Sequence, residues 1–344
     1  MVCHRLENKS GFNPKEGAGL DDSFDNRQLA GYANSNSLEF TFYLMDTAAA
    51  DIAENRILGW RLRLGAFLEL TKPRIAFMLV LTSAAGFYAG TPGTFNFVLF
   101  ANAMIGIAIL AFGVATLNQY IERSTDALMD RTKERPLPSY RLAPVEALVF
   151  GVVQCVVAEV YLYFLVNPLT AGLGLVVIVG YVFLYTPLKT RTSASTAIGA
   201  IPGAMPPLMG WTSSANEITL DGLALFGLLF LWQFPHFLAI AWMYREEYAK
   251  AKILMLPVVE PEGRITARQI VLFAIMLVPV SLAPFFLGFA GLAYLIGATV
   301  LGAWFLVESI RTARAKSVSQ ARRLLMVSVI YLPLIFGLLV LDHI

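Results

Sequence analysis

Residues 118–136 read Asn118-Gln-Tyr-Ile-Glu122-Arg-Ser-Thr-Asp126-Ala-Leu-Met-Asp130-Arg-Thr-Lys-Glu-Arg135-Pro136, and this run decides how the rest of the chain is read. It follows a long apolar segment, so it leaves the end of a membrane helix. Asn118, Glu122, Asp126 and Asp130 recur every fourth residue. Residues four apart share one face of a helix, one turn above another, so the spacing predicts a single column of oxygens. Like charges at that spacing repel, and a hard divalent cation removes the cost. Mg²⁺ takes oxygen ligands and is usually held by one or two carboxylates plus substrate phosphates. Just downstream, Arg131, Lys133 and Arg135 supply the positive charge that phosphate oxygens attract. The run reads as a site for a diphosphate bridged by magnesium at a membrane face. A solvated loop of mixed charge is the plainer alternative.

The composition fits that setting. Of 344 residues, 57% are hydrophobic and 15% charged, where a soluble chain carries about 25% charged residues. The chain is expected to be an all-α polytopic membrane protein. The two cysteines, Cys3 and Cys155, form no disulfide framework or zinc pattern. The net charge of +2 says little, and no nucleic-acid partner is expected.

Residues 1–55 are rich in Asn, Ser, Asp and Gly with no lasting apolar period, and are expected to be a disordered tail. Its many acids argue against a mitochondrial transit peptide. Residues 56–74, with Trp60 and several arginines among apolar side chains, suggest an interfacial amphipathic helix. Nine apolar segments follow, near the roughly 20 residues needed to span a bilayer. They are placed at about 75–91, 97–117, 143–165, 169–187, 195–212, 220–242, 267–288, 290–308 and 324–341. The fifth holds Pro202, Pro206 and Pro207 and is expected to be kinked or broken, which is tolerated where a helix lines a cavity. Residues 56–344 are thus read as one membrane domain. All 26 lysines and arginines fall in the tail, in the lead-in at 56–74, or in alternate loops and their edges, and the opposite loops have none. The positive-inside rule then puts the N-terminus and the carboxylate column in the cytoplasm and the C-terminus outside. A bacterial inner membrane is preferred to a mitochondrial one from the tail's acidity.

Other polar residues stand out. Lys189 follows Tyr185-Thr-Pro-Leu on the same side as the carboxylates; it suits phosphate, and equally suits a topogenic interface lysine. His236 lies deep in an apolar segment, where a polar residue is expensive and normally faces the bundle interior. It could ligate a metal or haem iron, move a proton, or simply hydrogen-bond a carbonyl. Glu246 and Glu247 end that segment and suggest a second metal site facing the first. Glu159 is alone within the third span and has no assigned role.

Six stretches carry a resemblance. They are Leu70-Thr-Lys-Pro-Arg74, the Asn118–Pro138 run, Tyr185-Thr-Pro-Leu-Lys189, Ile201-Pro-Gly-Ala-Met-Pro-Pro-Leu-Met-Gly-Trp211, Trp232-Gln-Phe-Pro-His-Phe237 and Met255-Leu-Pro-Val-Val259. Over about residues 65–344 the chain resembles intramembrane prenyltransferases of the UbiA superfamily, and more narrowly its haem-farnesylating branch. The resemblance implies nine helices around a central cavity, farnesyl diphosphate as donor, haem b as acceptor and haem O as product. It implies Mg²⁺ held by Asn118, Glu122, Asp126, Asp130 and Glu247. Substrate-binding roles fall on Tyr185, Lys189, Arg131, Arg135 and Arg245, and His236 joins Asn118, Glu122 and Asp126 as catalytic. Where many relatives have Asp four residues apart in a second motif, this chain has Tyr244 and Tyr248. Membrane lipid, the haem A synthase and terminal-oxidase assembly factors are implied neighbours.

The chemistry implied is ionisation of an allylic diphosphate, attack by a haem vinyl group and capture of the resulting cation by water. Alanine at Asp126 is expected to abolish turnover without unfolding the protein. Two rivals differ in acceptor or in kind: a sister enzyme prenylating a quinone-precursor ring or chlorophyllide, and a transporter whose carboxylates bind cations.

Overall fold

A computed structural model describes residues 59–344, so the expected tail at 1–55 lies outside the described residues. Leu62–Ile344 form one compact helical unit. The helices are α1 (residues 59–70), α2 (Pro73–Ala89), α3 (Phe97–Asp126), α4 (Pro144–Leu165), α5 (Pro168–Leu188), α6 (Ser195–Ala215), α7 (Leu220–Met243), α8 (Arg245–Lys250), α9 (Leu256–Val259), α10 (Arg264–Phe286), α11 (Leu292–Ala315) and α12 (Val318–Leu341). Among the described residues seven of these are long and apolar enough to cross a membrane. The remaining two expected spans correspond to α2 and α6. α2 has 17 residues, about 25 Å of helix. α6 has 21 residues and is buried along most of its length.

Local sequence fixes the starts. Asn96 accepts from the Val98 and Leu99 amides, Asn167 from Thr170, Thr219 from Gly222 and Ser317 from Gln320. Each satisfies donors that a helix N-terminus leaves open. Pro73, Pro144 and Pro168 begin α2, α4 and α5, where a missing N–H costs nothing.

α6 is not broken as expected. It runs continuously through Pro202, Pro206 and Pro207, because its neighbours come close enough to hold it. A Cβ on Gly86 of α2 would collide with the Pro207 carbonyl, and one on Gly210 of α6 with the Ser83 carbonyl. The two backbones therefore touch through glycine, the usual device for close packing in lipid. Ser83 Oγ adds a bond to Pro206 O at 2.8 Å, and Gln233 Nε2 reaches Ala200 O at 3.1 Å. Around this pair, α3 packs on α4, α7 on α6, α10 and α12, and α10 on α11.

Two features depart from uniform α-helix. Val179–Tyr185 within α5 is a π-helical turn, a form often found at functional sites. Lys72 takes a left-handed backbone with φ 49° between α1 and α2, which a side chain other than glycine rarely adopts.

Candidate active site

The site is built at the end of the bundle where α3, α5 and the α1–α2 junction meet. α3 outruns its apolar segment and carries Asn118, Glu122 and Asp126 on one face. Asp130 is not in that column. The helix stops at Asp126 because Thr132 Oγ1 donates to the Asp126 carbonyl at 2.8 Å, the acceptor residue 130 would need to extend it. Buried Met129 packs with Ala241, Ala251, Ile253 and Met255 and draws the chain across to the end of α7. Asp130 is left exposed and paired with Lys133 at 2.8 Å. The Lys133 contact holds the Asp130 carboxyl below the usual carboxylate range.

Each oxygen group of the column meets a cation. Lys189 Nζ lies 2.6 Å from Glu122 Oε1. Arg135 Nη1 lies 2.7 Å from Asp126 Oδ2, with the Asp126 side chain only 2% exposed. Lys72 Nζ donates to Asn118 Oδ1 at 2.9 Å. Asn118 Nδ2 donates in turn to Thr186 Oγ1 at 3.2 Å, and Thr186 Oγ1 donates to Tyr181 O across the π turn. That turn sets Tyr181 edge to face against Tyr185, ring centres 4.9 Å apart, and Lys189 4.4 Å from the Tyr185 ring centre. The extra residue of the turn thus tilts one tyrosine–lysine face of α5 onto the column. Close approach of α6 makes it possible, since any Cβ at Gly199 would enter the Tyr185 ring.

Three cations therefore share two carboxylates in a partly buried space. Burial and the nearby Arg135 guanidinium pull the Lys72 ammonium down to about 8, with Glu122 opposing. Burial would also lower Lys189, but the Glu122 carboxylate outweighs it and holds this ammonium well above its usual value. The residues differ in their appetite for an arriving anion: Lys72 holds its proton least firmly and has only an amide as partner.

The remaining expected residues sit around this core. Glu247 accepts from the Arg131 backbone N–H at 3.2 Å, which ties α8 to the loop after α3. The Arg131 guanidinium lies 5.1 Å from the Tyr244 ring. Arg245 turns onto Trp242 at 4.9 Å, and among the described residues no hydrogen bond or ion pair links it to the column. His236 is on α7 and faces α12, 2.7 Å from Ser328 Oγ. Lys72 is the residue that motif spacing did not single out; its signal is a left-handed backbone and a partner 46 positions away.

The donor set is all oxygen, which suits Mg²⁺. Among the described residues no three acidic, His or Cys side chains converge as a preformed metal cluster. Two carboxylates and an amide, each already facing a cation, fit a metal that brings phosphate oxygens with it.

Residues 79–331 match the UbiA prenyltransferase family. The chain is similar to the protoheme IX farnesyltransferase of Solibacter usitatus, 48% identical over 80% of this chain and 98% of that one. It is also similar to that of Koribacter versatilis, 42% identical over 80% and 93%. Among solved structures it resembles a digeranylgeranylglyceryl phosphate synthase, with TM-score 0.69, 15% identity and 81% and 98% covered. It further resembles a UbiA homologue from Archaeoglobus fulgidus bound to GPP and Mg²⁺, with TM-score 0.57, 16% identity and 80% and 99% covered. The chain belongs to the UbiA prenyltransferase family.

Proposed function

We propose that this protein transfers the farnesyl group of farnesyl diphosphate to a vinyl group of haem b, with addition of water, to form haem O. The observation that carries the reading is the column Asn118–Glu122–Asp126 facing Lys72, Arg135 and Lys189 in a chain 48% identical to a protoheme IX farnesyltransferase.

In this reading Asn118, Glu122 and Asp126 would hold Mg²⁺ together with the diphosphate, with Glu247 of α8 as a further oxygen ligand. The metal supplies Lewis-acid neutralisation of the leaving group's charge. Lys72, Arg135 and Lys189 move from the column's oxygens to the diphosphate, where they stabilise negative charge as it builds. The C1–O bond breaks and its electron pair leaves on the diphosphate. The vinyl carbon of haem attacks C1, and the new cation takes a water molecule that then loses a proton. Tyr181 and Tyr185 offer ring faces beside the site, and such faces stabilise a cation. No protein nucleophile is required. In this reading the multi-pass chain lies in a bacterial inner membrane with this end cytoplasmic.

Purified protein incubated with haem b, farnesyl diphosphate and Mg²⁺ is expected to give haem O by mass, and EDTA to abolish it. Release of diphosphate with a phenolic acceptor, and none with haem b, would move the protein to a sister prenyltransferase class.

A further inference from the structure

His236 is held in one protonation form by a neighbour on another helix. Ser328 of α12 makes two short contacts through one hydroxyl: Oγ lies 2.6 Å from Leu325 O and 2.7 Å from His236 Nδ1. A carbonyl can only accept, so the hydroxyl proton goes to Leu325. The second contact is then a hydrogen bond only if Nδ1 carries the proton and Ser328 accepts it. In the neutral imidazole that leaves Nε2 as the bare lone pair, and among the described residues no hydrogen bond occupies it. Trp232, one turn before His236 on α7, stacks on the imidazole with ring centres 4.5 Å apart and planes 23° apart. Its Nε1 donates to the Ser328 carbonyl at 2.9 Å, so one serine anchors both the imidazole and the indole that backs it. His236 as a whole is half-buried. It sits seven residues before the end of α7, about 10 Å along the axis from where the following segment meets Arg131.

We propose that Ser328 is a positioning residue for the acceptor: it fixes His236 as the Nδ1–H tautomer so that Nε2 ligates the haem iron. This rests on haem being the acceptor. A neutral imidazole whose other nitrogen is hydrogen-bonded is the form in which histidine binds metals, and loss of that outer partner typically weakens binding roughly 10- to 100-fold. The diphosphate would then sit at the cap and the porphyrin below it, with the iron as the fixed point from which a vinyl group reaches C1.

The test is a Soret titration of the full-length protein in detergent with ferric haem b, without farnesyl diphosphate so that no turnover occurs. Wild type is expected to show a histidine-ligated band that His236→Ala lacks and that added imidazole restores in His236→Gly. Ser328→Ala is expected to bind haem about 10-fold or more weakly with a shifted band, and Ser328→Thr, which keeps the hydroxyl, to recover both. Magnesium-dependent binding of farnesyl diphosphate should be unchanged in Ser328→Ala, which shows that it folds. A Ser328→Ala protein with wild-type haem affinity and spectrum would overturn the proposal, as would a His236→Ala protein with a wild-type band. Wild type that makes haem O but shows no His236-dependent band overturns this inference alone. Wild type that makes no haem O overturns the function on which it rests.

Discussion

The two ends of the helix bundle are made from the same helices and solve opposite problems. At one end the connections are short and self-satisfied. Asn96, Asn167 and Thr219 cap their own helices. Asp342 accepts from the Tyr294 amide and His343 donates to Phe289 O. Phe87 meets Phe95 and Phe100 edge to face in the remaining space. At the other end the chain spends long loops and two short helices on holding charges against one another. There the polar groups pair across helices: Lys189 with Glu122, Arg135 with Asp126, Lys72 with Asn118. Hydrogen bonds at the first end complete the fold. Those at the second can be exchanged for a ligand without leaving a helix uncapped. A buried ion pair adds little net stability, yet removing one partner costs about 3–5 kcal/mol. That combination suits a site whose pairs are to be re-partnered rather than broken.

This contrast is sharpened most by removing a column carboxylate. Asp126→Asn keeps an acceptor for Arg135 and is expected to lower farnesyl transfer on the order of 10³-fold with the fold intact by circular dichroism. Alanine at the same position also strands a half-buried guanidinium, so the milder variant separates chemistry from stability. Activity that survives in Asp126→Asn at saturating Mg²⁺ would remove this residue from the site. Lys72→Met comes next, with an expected loss of about 10²-fold in kcat/KM for farnesyl diphosphate. Lys72 titrates near 8 in the folded protein against about 10.4 in an exposed lysine. Its charge is present below pH 8 and lost as pH rises through that value. The kcat/KM profile is therefore expected to fall above pH 8 in wild type and to lack that limb in Lys72→Met. The same shift makes the unfolded chain bind more protons between those values, so this group's contribution to stability rises with pH there.

Gly210→Ala tests the opposite kind of interaction. A Cβ there meets the Ser83 carbonyl, so α2 and α6 must part, at a cost of typically 1–3 kcal/mol for overpacking. The readout is a lower Tm in detergent, with loss of activity following loss of fold. The smallest effect is expected at Asp130→Ala. Its partner Lys133 is 51% exposed and Asp130 itself 72% exposed, and exposed pairs contribute little. A change of roughly threefold or less in activity is expected; a large loss would return Asp130 to the metal site.

Periodicity made much of this legible. The apolar runs placed the helices to within a few residues along most of the chain, and the four-residue step placed Asn118, Glu122 and Asp126 on one face. It failed at Asp130 because the hydroxyl of Thr132, two residues further on, takes the Asp126 carbonyl that continued helix would use. No four-residue pattern records that competition. The prolines of α6 suggested a kink or a break, but the glycine contacts that keep the helix continuous are made between α6 and α2. The π turn, the left-handed Lys72 and the Ser328–His236 bond were all invisible for one reason. Each depends on a partner far along the chain, and a single sequence gives no distance between them.

In the proposed mechanism the column becomes a metal site only when a diphosphate draws its cations away. Mn²⁺ can stand in for Mg²⁺ and be titrated by electron paramagnetic resonance, with and without inorganic diphosphate, in wild type and Asp126→Asn. Tight Mn²⁺ binding that needs diphosphate and is lost in Asp126→Asn is the expected result. Mn²⁺ binding equally tight without diphosphate, and unchanged in Asp126→Asn, would contradict it.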